Sequence, residues 1–160
     1  MEIKQVRKNN CLDLLPIFNE LERYYFGEKA ASESELASYL KQQVFSEYSG
    51  VKVVAAYDGQ RIIGFATYTM MFPAPRLSGQ MYMKDLFVSS LTRGKGVGLE
   101  LMRHLASIAV KNNCQRLDWT AESTNPIAGK FYQSIGASLI KEKEYYRFES
   151  NALKIMAKSL

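Results

Sequence analysis

The sequence predicts an α/β fold built on one sheet of mixed direction. Three observations carry that expectation. Apolar residues switch repeatedly between a two-residue period and a three-to-four-residue period, so strands and helices alternate along the chain. Asp58–Gly59 joins two alternating segments as a tight hairpin, which makes part of the sheet antiparallel. The alternating segment 80–88 enters a glycine-rich turn and then a long amphipathic helix before the next strand, and helical crossovers of that kind join parallel neighbours.

Each element has its own signal. Ile3 and Val6 mark a short first strand, and Leu14, Leu15, Phe18, Leu21, Glu22 and Tyr25 recur at helical steps over 11–25, where Gly27 ends the helix. A second helix over 32–46 opens at Ser32 with Glu35 three positions on, a capping-box spelling, and turns Leu36, Tyr39, Leu40 and Val44 inward. Val51, Val53, Ala55 and Tyr57 alternate into the hairpin, and Ile62 to Met71 returns. A loop from Phe72 to Gly79, holding Pro73 and Pro75, precedes the strand 80–88. The helix over 97–112 carries Val97, Leu101, Leu105, Ile108 and Ala109 on one stripe, and Leu117, Trp119 and Ala121 alternate along the strand 115–121. Asn125 as cap, Pro126 in the first turn and Gly136 after the end bound a short helix over 126–135 that bears Phe131 and Tyr132. Strands near 138–140 and 145–150 complete the order β-α-α-β-β-β-α-β-α-β-β, expected as one domain over 1–160.

Composition narrows the function. Hydrophobic residues at 47% and charged residues at 23% are those of an ordinary globular chain. No apolar run approaches the roughly 20 residues needed to cross a bilayer, and MEIKQVRKNN lacks the apolar core of a signal peptide, so a cytoplasmic location is expected. Cys11, Cys114 and His104 occur without CxxC or HxxxH spacing, so no metal site is expected. The net charge of +5 suits an anionic partner, yet Lys and Arg form no block and no nucleic-acid-binding signature occurs; neither nucleic acid nor membrane is the expected partner.

Residues 81–98, MYMKDLFVSSLTRGKGVG, concentrate the chemistry. Gly94, Gly96 and Gly98 let the backbone turn sharply and approach an anion, the first amides of the following helix supply unpaired donors, and Arg93 and Lys95 add positive charge. GxxxxGK(S/T) does not occur, and the third glycine comes one residue too early for GxGxxG.

The spelling Arg-Gly-x-Gly-x-Gly resembles the pyrophosphate-binding element of the GNAT superfamily of acetyltransferases. Together with NPIAGKFYQSIGAS further on, it is similar to the diamine (spermidine/spermine) N-acetyltransferase branch. The resemblance implies the GNAT fold, a mixed, mostly antiparallel sheet of six to seven strands flanked by helices, whose fourth and fifth strands, 80–88 and 115–121, splay to admit the pantetheine arm. It implies acetyl-CoA as co-substrate, a small-molecule amine as acceptor, direct transfer in a ternary complex and, by analogy, a homodimer. On the matching positions, Leu86, Phe87 and Val88 bond the pantetheine and polarise the acetyl carbonyl. Arg93, Gly94, Lys95, Gly96, Val97, Gly98 and Leu99 hold the pyrophosphate, and Asn125, Pro126, Ile127 and Ala128 make a second coenzyme contact. Tyr132 is the general acid. Tyr24 and Tyr25 wall the amine site, and Asp118, Trp119 and Thr120 line it.

The chemistry asks for such groups. An oxyanion must be held, the acceptor amine must be neutral, and a departing thiolate must be protonated or stabilised. A phenol of pKa about 10 donates a hydrogen bond to a thiolate whose conjugate acid lies near about 8.5, and transfers its proton where the site adjusts either value. One departure from the branch matters: Lys84 precedes Asp85 where the diamine enzymes carry Glu. A lysine there repels an ammonium substrate; it either snorkels to solvent or pairs with a substrate carboxylate, which opens amino-acid-like amines beside polyamines. Asp85, Glu122 or a water chain could take the amine's proton. Cys114 follows a helix C-terminus, where the dipole disfavours a thiolate, so an acetyl-cysteine route is not expected. Within enzymes the alternative is acetylation of a protein lysine or amino terminus; from other classes, a non-catalytic acyl-CoA sensor or, on net charge alone, a nucleic-acid-binding module.

Overall fold

The structure, a computed structural model, covers residues 1–158. The chain forms two compact units, one ending at Thr120 and the other beginning at Ala121.

The first unit is a five-stranded sheet in sequence order, β1 (Glu2–Val6), β2 (Lys52–Asp58), β3 (Arg61–Ala74), β4 (Ser78–Val88) and β5 (Cys114–Asp118). Pairings up to β3–β4 are antiparallel and β4–β5 is parallel, so the sheet is mixed as expected. Asp58 pairs with Arg61, which puts Gly59 (φ 59°) at the first of two loop positions, as a type II′ hairpin turn requires. The loop expected over 72–79 is shorter than that: β3 and β4 run on through it, Ala74 pairs with Ser78, and only Pro75–Leu77 is left to turn. Cross-strand bonding outweighs the local loop preference of Pro73, which leads an extended backbone.

One face of the sheet is covered by α1 (Leu15–Phe26), against which α2 (Glu33–Tyr39) packs. There Val6, Leu14, Ile17, Phe18, Leu40, Val53, Ala55, Phe65 and Phe87 form the main core, with the Phe18 and Phe65 rings stacked at 4.7 Å. The capping box at the head of α2 is present, Glu35 Oε2 accepting from the Ser32 amide at 2.8 Å and Ser32 Oγ from the Glu35 amide at 3.3 Å. After Tyr39 the helix loosens into a π turn over Leu40–Val44.

The other face carries α3 (Val97–Lys111), which buries Val97, Leu101, Met102, Leu105 and Ala109; Ile108, expected on that stripe, is half-buried. Gly64 on β3 makes the contact possible. A Cβ there would lie 2.9 Å from Val97 Cγ1, 3.1 Å from the Phe87 carbonyl and 3.2 Å from Leu101 Cδ1. The head of α3 therefore rests directly on sheet backbone.

The second unit holds α4 (Pro126–Ser134) and α5 (Ser150–Ala157). The strands expected near 138–140 and 145–150 do not form among the described residues, and the sheet has five strands instead of six to seven. Ile140, Tyr145, Tyr146 and Phe148 are residue types that favour extended backbone. A strand also needs a neighbour to bond its N–H and C=O groups, and sequence does not name one.

Candidate active site

The site grows from β4. Its pairing with β5 runs from Gly79↔Cys114 to Tyr82↔Asp118 and ends there, while β4 continues to Val88. Beyond Tyr82, the edge of β4 that faces β5 has no ladder partner among the described residues. The pairing thus stops where the fourth and fifth strands are expected to part, and the backbone of Leu86, Phe87 and Val88 lies beyond its end. The β3–β4 register slips by one residue at Lys84, since Tyr68 pairs with Met83 and Thr67 with Asp85. This bulge turns Met81 and Met83 to one face and Asp85 and Phe87 to the other, which also holds Phe65 and α1.

Asp85 is thereby half-buried beside Thr67, whose hydroxyl donates to its carboxylate at 2.5 Å, and Lys84 Nζ lies 3.7 Å from the same carboxylate. Lys84 itself projects into solvent, with its side chain 72% exposed.

Next along the chain, Gly94 (φ 75°) and Gly96 (φ 80°) take left-handed backbone, which a side chain would strain. Gly96 is the cap residue of α3 and no side chain caps the helix. A Cβ at Gly94 or Gly96 would meet nothing within 4 Å, so the protein leaves the space over this turn open. Arg93 and Lys95 are exposed on either side of Gly94, and Val97 anchors the first helical turn beneath. Uncapped amides, the positive end of a long helix, open space over the turn and two cations together suit a diphosphate.

Tyr24 and Tyr25 at the end of α1 are 58% and 66% exposed and meet edge to face at 5.1 Å, so the stripe expected to bury Tyr25 does not; both rings face solvent. Tyr24 does not await a cation, because the Arg93 guanidinium already lies 5.6 Å from its centroid and 5.8 Å from that of Phe87. Asp118 is also engaged. Gln80 Nε2 donates to it at 2.7 Å and Arg116 Nε lies 3.2 Å away, so its charge is balanced within the sheet. Thr120 is exposed, with its hydroxyl 3.4 Å from Tyr82 Oη, and Trp119 between them is half-buried.

Asn125–Ala128 and Tyr132 belong to the second unit. Asn125 Oδ1 accepts from the Ala128 amide at 3.2 Å and Pro126 occupies the first turn, as the sequence predicts. Tyr132 is half-buried on α4, its ring 5.3 Å from Phe131. His104 lies within α3, half-buried, and Cys114 is buried with its thiol 3.4 Å from Met70 Sδ. Among the described residues no group of His, Cys, Asp and Glu could hold a metal ion, and no helix is long and apolar enough to cross a membrane.

Four residues that sequence did not single out support the site: Thr67 on Asp85, Gln80 and Arg116 on Asp118, and Glu20, whose carboxylate accepts from the Ser90 amide at 2.7 Å. Nothing local marks them. Thr67, Gln80 and Glu20 act on partners fixed by strand register or packing across many intervening residues, and Arg116 reaches Asp118 two positions along the same strand.

Comparison with known proteins agrees with this geometry. Residues 14–137 match the model of the Acetyltransferase (GNAT) family. The chain is 23% identical to the thialysine N-epsilon-acetyltransferase of Mus musculus, over 97% of this chain and 96% of that protein. It is 30% identical to the L-ornithine N5-acetyltransferase NATA1 of Arabidopsis thaliana, over 61% of this chain and 42% of that one. Among solved structures, integron cassette protein VCH_CASS6 from the mobile metagenome of V. cholerae superposes with a TM-score of 0.97 at 74% identity, covering 98% of this chain and 97% of that one. The mixed sheet, the glycine-rich turn and the family match over residues 14–137 make this chain a member of the GNAT family of N-acetyltransferases.

Proposed function

We propose that this enzyme transfers the acetyl group of acetyl-CoA directly to the primary amine of a small molecule of diamine or amino-acid type, in a ternary complex. The observation that carries the proposal is the end of β4–β5 pairing at Tyr82 and Asp118, just ahead of a glycine-rich turn that opens an uncapped helix. In this reading the first amides of α3, with Arg93 and Lys95, hold the diphosphate, and Asn125–Ala128 add a further contact. Backbone groups of Leu86–Val88 align the acyl arm and polarise its carbonyl. The bound coenzyme supplies a thioester whose acyl carbon is open to attack. Asp85, oriented by Thr67, receives the amine's proton directly or through water, and the Tyr132 hydroxyl donates to the leaving sulfur.

The relatives named for thialysine and ornithine support an acceptor that carries both an amine and a carboxylate. Lys84, exposed beside the site, supplies the cation such a carboxylate would meet. Tyr24, engaged by Arg93, serves as a wall in this reading and Tyr25 as the aromatic surface available to the acceptor. We further take the chain to act as a single catalytic domain in a cytoplasmic homodimer. Calorimetry with acetyl-CoA, followed by thiol release with a panel of polyamines, ornithine-like amino acids and lysine peptides, tests the proposal. Saturable coenzyme binding with turnover on small amines is expected; binding without turnover on any amine would point to a sensor, and turnover confined to peptides would overturn the small-molecule acceptor.

A further inference from the structure

Glu20 lies in the middle of α1, half-buried, and reaches a part of the chain seventy positions away. Its Oε1 accepts a 2.7 Å hydrogen bond from the backbone amide of Ser90, the first residue of the tight turn Ser90–Thr92 that links β4 to the glycine-rich segment. That turn is otherwise tied to the sheet. The Ser89 amide donates to the Ile63 carbonyl at 3.0 Å, and Thr92 Oγ1 donates to the same carbonyl at 3.2 Å. Arg93 follows at once, its Nε donating to the Val88 carbonyl at 3.2 Å and its guanidinium lying over Tyr24, one helical turn beyond Glu20 on α1. The helix thus grips the β4–α3 connection at two points, a carboxylate on an amide and a ring on a guanidinium.

A carboxylate next to a diphosphate site would by charge alone oppose the ligand, so its presence calls for a structural reason. We propose that Glu20 is a positioning residue for coenzyme binding: by holding the Ser90 amide it fixes Arg93 and the entry to the glycine-rich turn, so that α1 and the anion-binding turn behave as one body. The proposal rests on the coenzyme reading given above. It also ties the aromatic wall at Tyr24 to the coenzyme turn, which gives the two substrates a physical route to sense one another.

Hydrogen exchange and calorimetry with acetyl-CoA test it on the wild-type chain, Glu20→Ala and Glu20→Gln. Glu20→Ala is expected to speed amide exchange over Ser90–Gly96 and to weaken coenzyme binding by about tenfold, the loss expected for a charge-assisted hydrogen bond. Its kcat at saturating coenzyme should stay within about twofold, because the residue sets binding and not chemistry. Glu20→Gln, whose amide oxygen still accepts from Ser90, should recover most of the affinity and protection. Unchanged affinity and exchange in a folded Glu20→Ala protein, or a Gln variant no better than Ala, would overturn the positioning role while leaving the activity standing. Absence of coenzyme binding by the wild-type chain would remove both.

Discussion

Lys84 and Asp85 are neighbours in sequence, but the bulge between them and Met83 gives them opposite settings, one held beside Thr67 and the other in solvent. The Lys84 ammonium nevertheless stays 3.7 Å from the Asp85 carboxylate, so a change at one is felt at the other. Lys84→Glu is expected to shift preference from carboxylate-bearing amines toward polyamines by about tenfold or more in kcat/KM, the effect of replacing an attractive ion pair with a repulsive one. An unchanged ratio would show that Lys84 faces only solvent. Tyr132→Phe is expected to keep coenzyme affinity in calorimetry and to lower kcat by about a hundredfold, as for loss of a general acid; equal turnover would remove the phenol from the reaction. Glu20 contributes a pH dependence. Burial works to raise its pKa, but the hydrogen bond from the Ser90 amide and the positive charge of Arg93 outweigh it, so the folded value lies below the ordinary 4.5. A lowered folded value stabilises the protein above the unfolded pKa, and the contribution fades as pH falls through the folded one. The stability advantage of wild type over Glu20→Gln should be constant above the ordinary carboxylate range and fade as pH falls below it, measured by denaturant unfolding across a pH series.

At the scale of elements, what sequence disclosed and what it withheld divide by the range of the interaction. Ser32 with Glu35, and Asn125 with Pro126, announce helix starts because a cap is bonded within three residues. The glycine-rich turn is legible for the same reason, since φ is a property of one residue. The bulge at Lys84 is not, because it exists only relative to Thr67 on another strand, and the strands expected after Gly136 failed on the same ground. Gly64 is a further case: nothing around it announces a role, yet the head of α3 sits on its bare Cα. Gly64→Ala forces Val97 and Leu101 outward against a fixed Phe87 carbonyl. The expected cost is about 1–3 kcal/mol of stability, with coenzyme affinity falling further than stability alone would explain if the displaced turn carries the diphosphate as proposed. Thermal unfolding and calorimetry on the same preparation separate the two; loss of stability with unaltered affinity would show that Val97 relaxes without moving Gly96.

For the molecule as a whole, the net charge of +5 admits two interpretations. Spread evenly, it keeps the chain soluble and makes only a weak contribution to any one ligand. Concentrated in effect, it draws a polyphosphate toward Arg93 and Lys95, which stand exposed where unpaired helix amides already favour an anion. Salt distinguishes them, because screening acts on exposed cations over a Debye length that shrinks from about 10 Å at 0.1 M to about 3 Å at 1 M, while backbone amides at the ligand are little affected. If the cations contribute through the open surface, raising NaCl from about 0.05 to about 0.5 M should increase the KM for acetyl-CoA several-fold with kcat nearly constant. Lys95→Ala should flatten that dependence, since it removes one exposed charge without touching the amides or the hydrogen bonds around Arg93. A KM indifferent to salt in the wild-type enzyme would instead assign coenzyme capture to the helix N-terminus alone, and the positive balance of the chain would then be a property of its surface with no part in recognition.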